Sequence, residues 1–205
     1  MSEEKTDMEF AILKAATKLF LEKGFKATST TEIAKEVGCN QALVHYYYRT
    51  KDKLFDAIFE KKIMVFIGSL LKIGHEELSF EEKLTKKIES HFDVIKEDPR
   101  LPLFFFSEIN SNPKRMESIK EIIGDLPQMV LAQMQKELDE EIAKGNVRQM
   151  TVHDLLMTIV SLNIIVFLAE PMFKTITKIS DEDFSKLQER RKKENVEIIL
   201  RSLKP

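Results

Sequence analysis

The stretch GFKATSTTEIAKEVGCNQALVHYYYRTKDK, residues 24–53, predicts two short helices separated by a tight turn. Ser29 stands three residues before Glu32, which is the spacing of a capping box at a helix start. Gly38 is expected to end this helix, because glycine adopts a left-handed backbone conformation without steric cost. Asn40 is a strong N-cap residue and is expected to start the next helix.

Another helix is predicted before this pair. Apolar side chains recur every three or four residues over residues 10–20, which gives one apolar stripe, and Gly24 is a suitable stop. Residues 7–50 therefore predict three compact helices. The last two, joined by a turn of about three residues, form a helix-turn-helix.

The predicted third helix separates an inward side from an outward side. Neighbouring side chains in a helix lie about 100° apart, so Val44 and Tyr48 share the inward side. The outward arc and its flanks contain no acidic residue and consist of Gln41, Ala42, His45, Tyr46 and Tyr47. The three tyrosines therefore cannot all belong to the core.

This outward set suits a DNA duplex. Glutamine can pair with an adenine edge in the major groove, and alanine permits close approach to bases. Tyrosine hydroxyls and Lys51 can donate to phosphate oxygens, and Thr30 and Thr31 stand at a helix start, where anions bind readily. Residues 23–53 contain six basic and three acidic side chains, so this segment is positively charged within a chain of net charge -2. The alternative is a helical protein-interaction module that does not bind DNA.

Residues 20–59, FLEKGFKATSTTEIAKEVGCNQALVHYYYRTKDKLFDAIF, resemble the N-terminal domain of TetR/AcrR-family transcriptional regulators. The positions that carry the resemblance are Gly24-Phe25, Thr28 to Thr31, Ile33-Ala34, Gly38, His45 to Tyr48, and Lys51. Two positions depart from the pattern: Cys39 stands where a small hydrophobic residue or serine is usual, and His45 where tyrosine is usual. Cys39 is interpreted as a packing residue, with a redox sensor as the alternative.

The resemblance implies a division of roles among these residues. It implies phosphate contacts from Thr30, His45, Tyr46, Tyr47 and Lys51, with Thr31 beside them. It implies base-edge contacts from Gln41 and Ala42, with Asn40 and Tyr46 as further candidates. Because histidine titrates near neutral pH, His45 would add a pH dependence to DNA affinity.

The resemblance also implies an all-α fold with two domains. Residues 1–52 would form the helix-turn-helix DNA-binding domain, and residues 53–205 a larger helical domain for ligand binding and dimerisation. The expected function is a ligand-responsive, sequence-specific transcriptional regulator, most often a repressor. It would bind a palindromic double-stranded operator as a homodimer and leave it when a small apolar or amphipathic effector binds. No cofactor is expected.

The sequence after residue 75 supports such a domain only loosely. Helices are predicted over 80–97, 102–110, 115–143, 151–170 and 180–203. The third of them is expected to be disturbed at Gly124 and Pro127, and Pro171 is expected to stop the fourth. Candidate effector-binding residues are Phe104, Phe105, Met129 and Asn163, and ordinary core packing is the alternative for each. The amide of Asn163 needs a partner in its apolar helix, which could be ligand, a neighbouring helix or a second protomer.

The last two predicted helices are the candidates for a dimer interface. Residues 155–170 are apolar all round, which is unusual for a helix on the outside of a monomer. The final helix is amphipathic, and two chains packed this way would make a four-helix bundle.

Several other classes of function are not expected. One cysteine excludes an internal disulfide framework. His75, His91 and His153 lie too far apart to suggest a metal site, and no catalytic triad order or phosphate loop indicates an enzyme. The acidic start is not a signal peptide, and the apolar run 155–169 is shorter than a membrane span. A cytoplasmic protein is therefore expected.

Overall fold

The computed structural model describes residues 2–71 and 77–205, and in that part of the chain it contains α-helices and no strand, which confirms the all-α prediction. The helices are α1 (Ser2–Ala27), α2 (Thr30–Val37), α3 (Gln41–Tyr48), α4 (Lys51–Leu71), α5 (Phe80–Glu97), α6 (Leu101–Ser111), α7 (Lys114–Ile123), α8 (Leu126–Ala143), α9 (Val152–Leu168), α10 (Glu170–Thr177) and α11 (Asp181–Ser202).

The chain forms two compact units. Unit 1 consists of Met1–Met64 and Leu103–Ile122, and unit 2 of Val65–Pro102 and Ile123–Pro205. These are units of packing. The division of roles between residues 1–52 and 53–205 stays a prediction.

The helix-turn-helix of unit 1 has the predicted caps. The Ser29 hydroxyl accepts the Glu32 N–H at 3.1 Å, and the Glu32 carboxylate accepts the Ser29 N–H at 3.0 Å. Gly38 ends α2 with a left-handed backbone at φ 76°. The Asn40 side chain accepts the Ala42 N–H at 2.7 Å and so starts α3. Local sequence signals therefore determine both ends of the turn.

Aromatic and aliphatic side chains fill the core of unit 1. The rings of Phe20 and Phe55 are fully buried and meet edge to face with centroids 5.0 Å apart. Ile33 of α2 and Val44 of α3 are buried as well, at 0% and 1% exposure. The predicted inward side of α3 is thus confirmed for Val44, and it sets the rotation of α3 about its own axis.

A lysine fastens the end of α1 to the start of α4. Gly24 breaks the regular helix of α1 with a non-helical backbone at φ 77° and ψ 173°. Past this break, the carbonyls of Phe25 and Thr28 each accept a hydrogen bond of 2.9 Å from the Lys51 ammonium. The same ammonium lies 4.2 Å from the centre of the Phe25 ring.

Unit 2 is a helical bundle in which α5, α9 and α11 contact one another and α8 packs against α9. Its core includes the fully buried side chains of Ile88, Leu138, Ile159 and Ile199. Unlike the amphipathic α5, α9 is apolar over most of its length, as the sequence predicted.

One predicted helix is divided and one predicted boundary was wrong. The disturbance predicted at Gly124 and Pro127 divides residues 115–143 into two helices, because Gly124 adopts a left-handed backbone at φ 55° and Pro127 lies in the first turn of α8. Pro171 does not stop a helix; α9 ends at Leu168, and Pro171 lies in the first turn of α10. Proline is tolerated there because the N–H groups of a first turn have no partner within the helix.

Across the described ranges, each helix taken singly is too short or too polar to cross a bilayer. Only α9 and α10 together meet the length and apolarity, and they are bent by 54° at their junction.

Candidate nucleic-acid interface

The outward side of α3 is formed by the predicted side chains. Gln41, Ala42, His45 and Tyr46 are exposed, and Tyr46 has 61% of its surface open to solvent. Tyr47 is half-buried, and its ring meets that of Tyr46 edge to face with centroids 5.3 Å apart. These side chains form one continuous surface of α3.

The third tyrosine of the row points inward. Tyr48 is half-buried, and partial burial raises the pKa of its phenol. A phenol that packs at the end of α3 is not part of the outward surface.

The start of α2 lies beside this surface. Thr31 is exposed, whereas Thr30 is buried and its hydroxyl accepts a hydrogen bond of 2.9 Å from the Gln41 amide nitrogen. The Asn40 side-chain oxygen is already bonded to the Ala42 N–H. α2 therefore positions the first residue of α3 directly.

His45 connects Gln41 to the turn that follows α3. One ring nitrogen of His45, Nε2, lies 3.4 Å from the Gln41 amide nitrogen, and the other, Nδ1, lies 3.1 Å from the Arg49 carbonyl oxygen. The Arg49 N–H in turn donates to the His45 carbonyl at 2.8 Å. Arg49 has a positive φ of 60°, which is rare outside glycine. His45 contacts both the N–H and the carbonyl of this residue.

Lysines pair with the acidic side chains of α2. Glu36 lies 2.6 Å from the Lys18 ammonium, and Glu32 lies 2.9 Å from that of Lys23. In each pair a hydrogen bond from the lysine is the main reason that the carboxyl pKa is lowered. The carboxylates near α3 are thus matched by positive charge, which limits their repulsion of an anionic partner.

Lys51 has a structural contact in addition to its predicted role. Its ammonium carries three protons and already donates to two carbonyls of the turn between α1 and α2. One proton remains to be shared with a phosphate oxygen. A phosphate contact from Lys51 stays a prediction.

Unit 2 contains a chain of buried polar side chains that includes Asn163. The Asn163 amide nitrogen donates to the Ile88 carbonyl at 2.9 Å and lies 3.2 Å from His91 Nδ1. The Asn163 oxygen accepts from Asn195 at 2.9 Å, and the Asn195 oxygen accepts from the Arg191 guanidinium at 2.8 Å. Of the three partners that the sequence left open for Asn163, the structure shows neighbouring helices.

His91 ends this chain with an unsatisfied nitrogen. Guanidinium only donates, so the Asn195 oxygen accepts from it, and the Asn195 nitrogen donates to the Asn163 oxygen. The Asn163 nitrogen in turn donates to His91 Nδ1, which accepts. The proton of the neutral ring is therefore on Nε2. This atom is buried and has no hydrogen-bond partner within the described residues. Burial lowers the pKa of His91 to about 4, which keeps the ring neutral.

The other candidate effector residues are not members of this set of buried polar side chains. Phe104 and Phe105 are buried in unit 1, where both rings contact Phe59 at centroid distances of 5.5 and 5.2 Å. Met129 belongs to unit 2 and is 69% exposed. Their predicted role in effector binding is untested.

A patch of apolar side chains is exposed on α9 and α10. Its largest members are Met157, Ile165, Leu168, Met172, Phe173 and Ile176. Single exposed apolar residues are ordinary, but a run of this kind on consecutive helices is typical of an interaction surface.

Sequence reasoning missed the partners of the predicted residues. It considered His91 only in arguing against a metal site, and it did not identify Arg191 as a partner of a buried amide. The described residues contain no group of three side chains suited to hold a metal ion, and His75 lies outside them. Asn163 was the one available signal, because an amide in an apolar helix requires a partner.

Known proteins resemble this chain most clearly over α1 to α4. A sequence profile described as bacterial regulatory proteins, tetR family, matches residues 12–58. The fatty acid metabolism regulator protein of Bacillus subtilis (strain 168) is 26% identical over 121 residues, which make up 58% of this chain and 62% of that protein. The chain thus spans less than two thirds of the length of this relative.

Solved structures match over almost the whole chain. HlyIIR, a hemolysin II transcriptional regulator, is 26% identical with a TM-score of 0.58, over 98% of this chain and 99% of that one. A tetR-family regulatory protein from Rhodococcus RHA1 has a TM-score of 0.70 at 20% identity, over 96% and 97% of the two chains, which shows a shared fold. With the cap and turn geometry above, these matches lead to one conclusion: residues 12–58 match the tetR family of bacterial regulatory proteins, and the chain shares its fold with a solved member of that family.

Proposed function

We propose that this protein is a sequence-specific DNA-binding transcriptional regulator. The observation that carries the proposal is the outward side of α3, which exposes an amide, a small residue, an imidazole and a phenol and has no carboxylate. A helix with such a surface fits the major groove, where amides read base edges. Ion pairs on α2 offset the nearest negative charges.

The residues divide into two groups within this function. Gln41 and Ala42 read base edges, and Asn40 assists them. The residues proposed to contact phosphate are Thr30, Thr31, Tyr46, Tyr47 and Lys51. Both ring nitrogens of the neutral His45 already have partners, Gln41 and the Arg49 carbonyl, so His45 positions Gln41 instead. Phosphate contacts position the protein and account for most of the salt dependence, whereas base contacts provide the sequence preference.

The functional form is a homodimer on a palindromic operator. The exposed apolar patch on α9 and α10 supports this proposal, because a second copy would remove it from water. Two-fold symmetry would place the two copies of α3 on half-sites about 34–36 Å apart.

A small apolar or amphipathic effector releases the operator, so the protein acts as a repressor. The buried N–H of His91 supports an effector site in unit 2, because a buried donor without a partner requires an acceptor atom. The effector shifts DNA affinity only by the difference in its own affinity for the two states of the protein.

A mobility-shift titration with the upstream region of the protein's own gene tests DNA binding. We expect a steep loss of affinity with rising salt, and loss of sequence preference in Gln41→Ala. Phe10→Ala, which changes an exposed side chain of α1, is the matched control. If no duplex binds even at low salt, the protein is a helical interaction module and not a regulator.

The effector site is tested separately. Compounds that release the wild-type protein from DNA should fail to release His91→Phe, whose DNA affinity without compound should be unchanged. Equal release of both proteins would place the effector elsewhere.

A further inference from the structure

The amide of Gln41 is held in one orientation by two neighbours. Its nitrogen lies 2.9 Å from the Thr30 hydroxyl and 3.4 Å from His45 Nε2. An amide nitrogen carries two protons, so these two contacts use both of them.

The Arg49 carbonyl determines this orientation. A carbonyl only accepts, so the 3.1 Å contact between the Arg49 oxygen and His45 Nδ1 requires a proton on Nδ1. In the neutral ring His45 Nε2 then has a lone pair and accepts. Only the nitrogen end of the Gln41 amide can donate to it, so the reverse orientation of the amide would set two acceptors against each other.

The remaining polar atom of Gln41 is its carbonyl oxygen. No hydrogen bond to this oxygen occurs in residues 2–71 and 77–205, and the side chain is exposed on the outward side of α3. We propose that Thr30 and His45 present Gln41 to DNA as a hydrogen-bond acceptor only. This inference rests on the proposed DNA-binding function and adds the chemical basis of its specificity.

An acceptor reads a different set of bases from a free amide. A free glutamine bonds adenine twice, accepting from N6 and donating to N7. The held Gln41 can accept from adenine N6 or cytosine N4, and it has no proton to offer to N7. Guanine and thymine present acceptors at the corresponding major-groove positions and are disfavoured. His45 and Thr30 are therefore positioning residues for specificity.

Selection from a random duplex library locates the base pair that Gln41 reads. Wild type and Gln41→Ala are compared at one salt concentration, and the position whose preference disappears in Gln41→Ala is the one in question. We expect adenine and cytosine to replace each other on the same strand at that pair, each favoured over guanine and thymine on that strand by roughly five- to tenfold. Guanine on one strand is cytosine on the other, so the result is read from which two bases share a strand. Interchange of adenine with guanine on one strand, or of adenine with thymine, overturns the proposal.

If adenine is enriched, 7-deazaadenine tests whether the Gln41 amide donates to N7. This base has a C–H in place of N7 and keeps the N6 amino group. Wild type should bind the adenine and 7-deazaadenine duplexes within about twofold of each other, because it makes no bond to N7. His45→Phe and Thr30→Val each free one amide proton of Gln41, which can then bond to N7. We expect both variants to bind the 7-deazaadenine duplex roughly five- to tenfold less tightly than the adenine duplex.

A rescue variant separates this role from general damage. His45→Gln can donate to the Arg49 carbonyl and accept from Gln41, so it should be as insensitive to 7-deazaadenine as wild type. Each ratio is taken within one protein, so a general loss of affinity does not enter it.

Three further outcomes would overturn the inference while the proposed function stands. They are a loss of fivefold or more on 7-deazaadenine by wild type, insensitivity of both His45→Phe and Thr30→Val, and an unchanged preference at every base pair in Gln41→Ala. Absence of binding to any duplex would instead overturn the proposed function, and this inference with it.

Discussion

The buried imidazole of His91 should make the stability of the protein depend on pH. Its pKa is about 4 in the folded protein, against an ordinary value of 6.5, because burial disfavours the charged ring. Between these two values the unfolded chain binds a proton that the folded chain does not. The free energy of unfolding is therefore unaffected above pH 6.5 and falls as the pH is lowered towards 4.

The size of the effect follows from the shift. The full difference corresponds to about 3 kcal/mol, reached below pH 4. Between pH 8 and pH 5 the folded protein should lose about 2 kcal/mol through His91 alone. That is a large share of the stability of a typical domain.

Urea denaturation of wild type and His91→Phe at both pH values measures this quantity. Phenylalanine has a ring of similar size and cannot titrate, so the carboxylates that titrate in both proteins cancel in the difference. The exposed His153 provides the control, since His153→Gln should leave the pH dependence of wild type in place. All six measurements use one protein concentration, because dimerisation would add to apparent stability.

Parallel pH profiles of wild type and His91→Phe would refute the reasoning. They would mean that the folded protein admits a charged ring at position 91, and the burial argument for a neutral N–H donor would fail with it. A steeper profile in the variant would contradict the sign of the shift.

Other predictions concern single contacts. Lys51→Met should lower the free energy of unfolding in urea by about 1–3 kcal/mol, because two carbonyls lose a charged donor; unchanged stability would refute this contact. Gly38→Ala should cost about 1 kcal/mol at φ 76°, whereas Gly68→Ala, inside α4 with open space around the added carbon, should gain about 0.5–1 kcal/mol; thermal melts compare the pair. Ile165→Glu should turn a dimer into a monomer in sedimentation velocity, while Phe10→Glu, equally exposed and apolar, should not; a dimeric Ile165→Glu would move the interface elsewhere.

Local signals predicted the ends of helices where a side chain or a glycine caps them. Ser29 and Gly38 fix the ends of α2 through bonds within a few residues, so the sequence alone is enough. The prediction that Pro171 stops a helix was wrong because proline is found both after the end of one helix and in the first turn of the next. α9 and α10 follow each other with one residue between them, and only the packing of the bundle decides that the chain bends there.

The candidate site was predictable in its members and not in their orientation. A helical wheel places Gln41 and His45 on the outward side of α3, since that depends on spacing alone. It cannot show that the Thr30 hydroxyl and the Arg49 carbonyl restrict both of them, because these contacts depend on the crossing of α2 and α3 and on a rare backbone conformation. His91 escaped notice for a similar reason: its environment is made by distant parts of the chain.

Position 49 carries a residue that is less stable in its backbone conformation than glycine would be. Its φ of 60° is a conformation that glycine adopts freely and arginine does not. Arg49→Gly would therefore make the turn after α3 more stable, yet it would remove a positive charge next to the recognition helix. Natural sequences often retain a locally unfavourable residue where function needs it. An engineer seeking a more heat-resistant form of this protein should leave position 49 unchanged and begin with positions remote from the outward surface of α3.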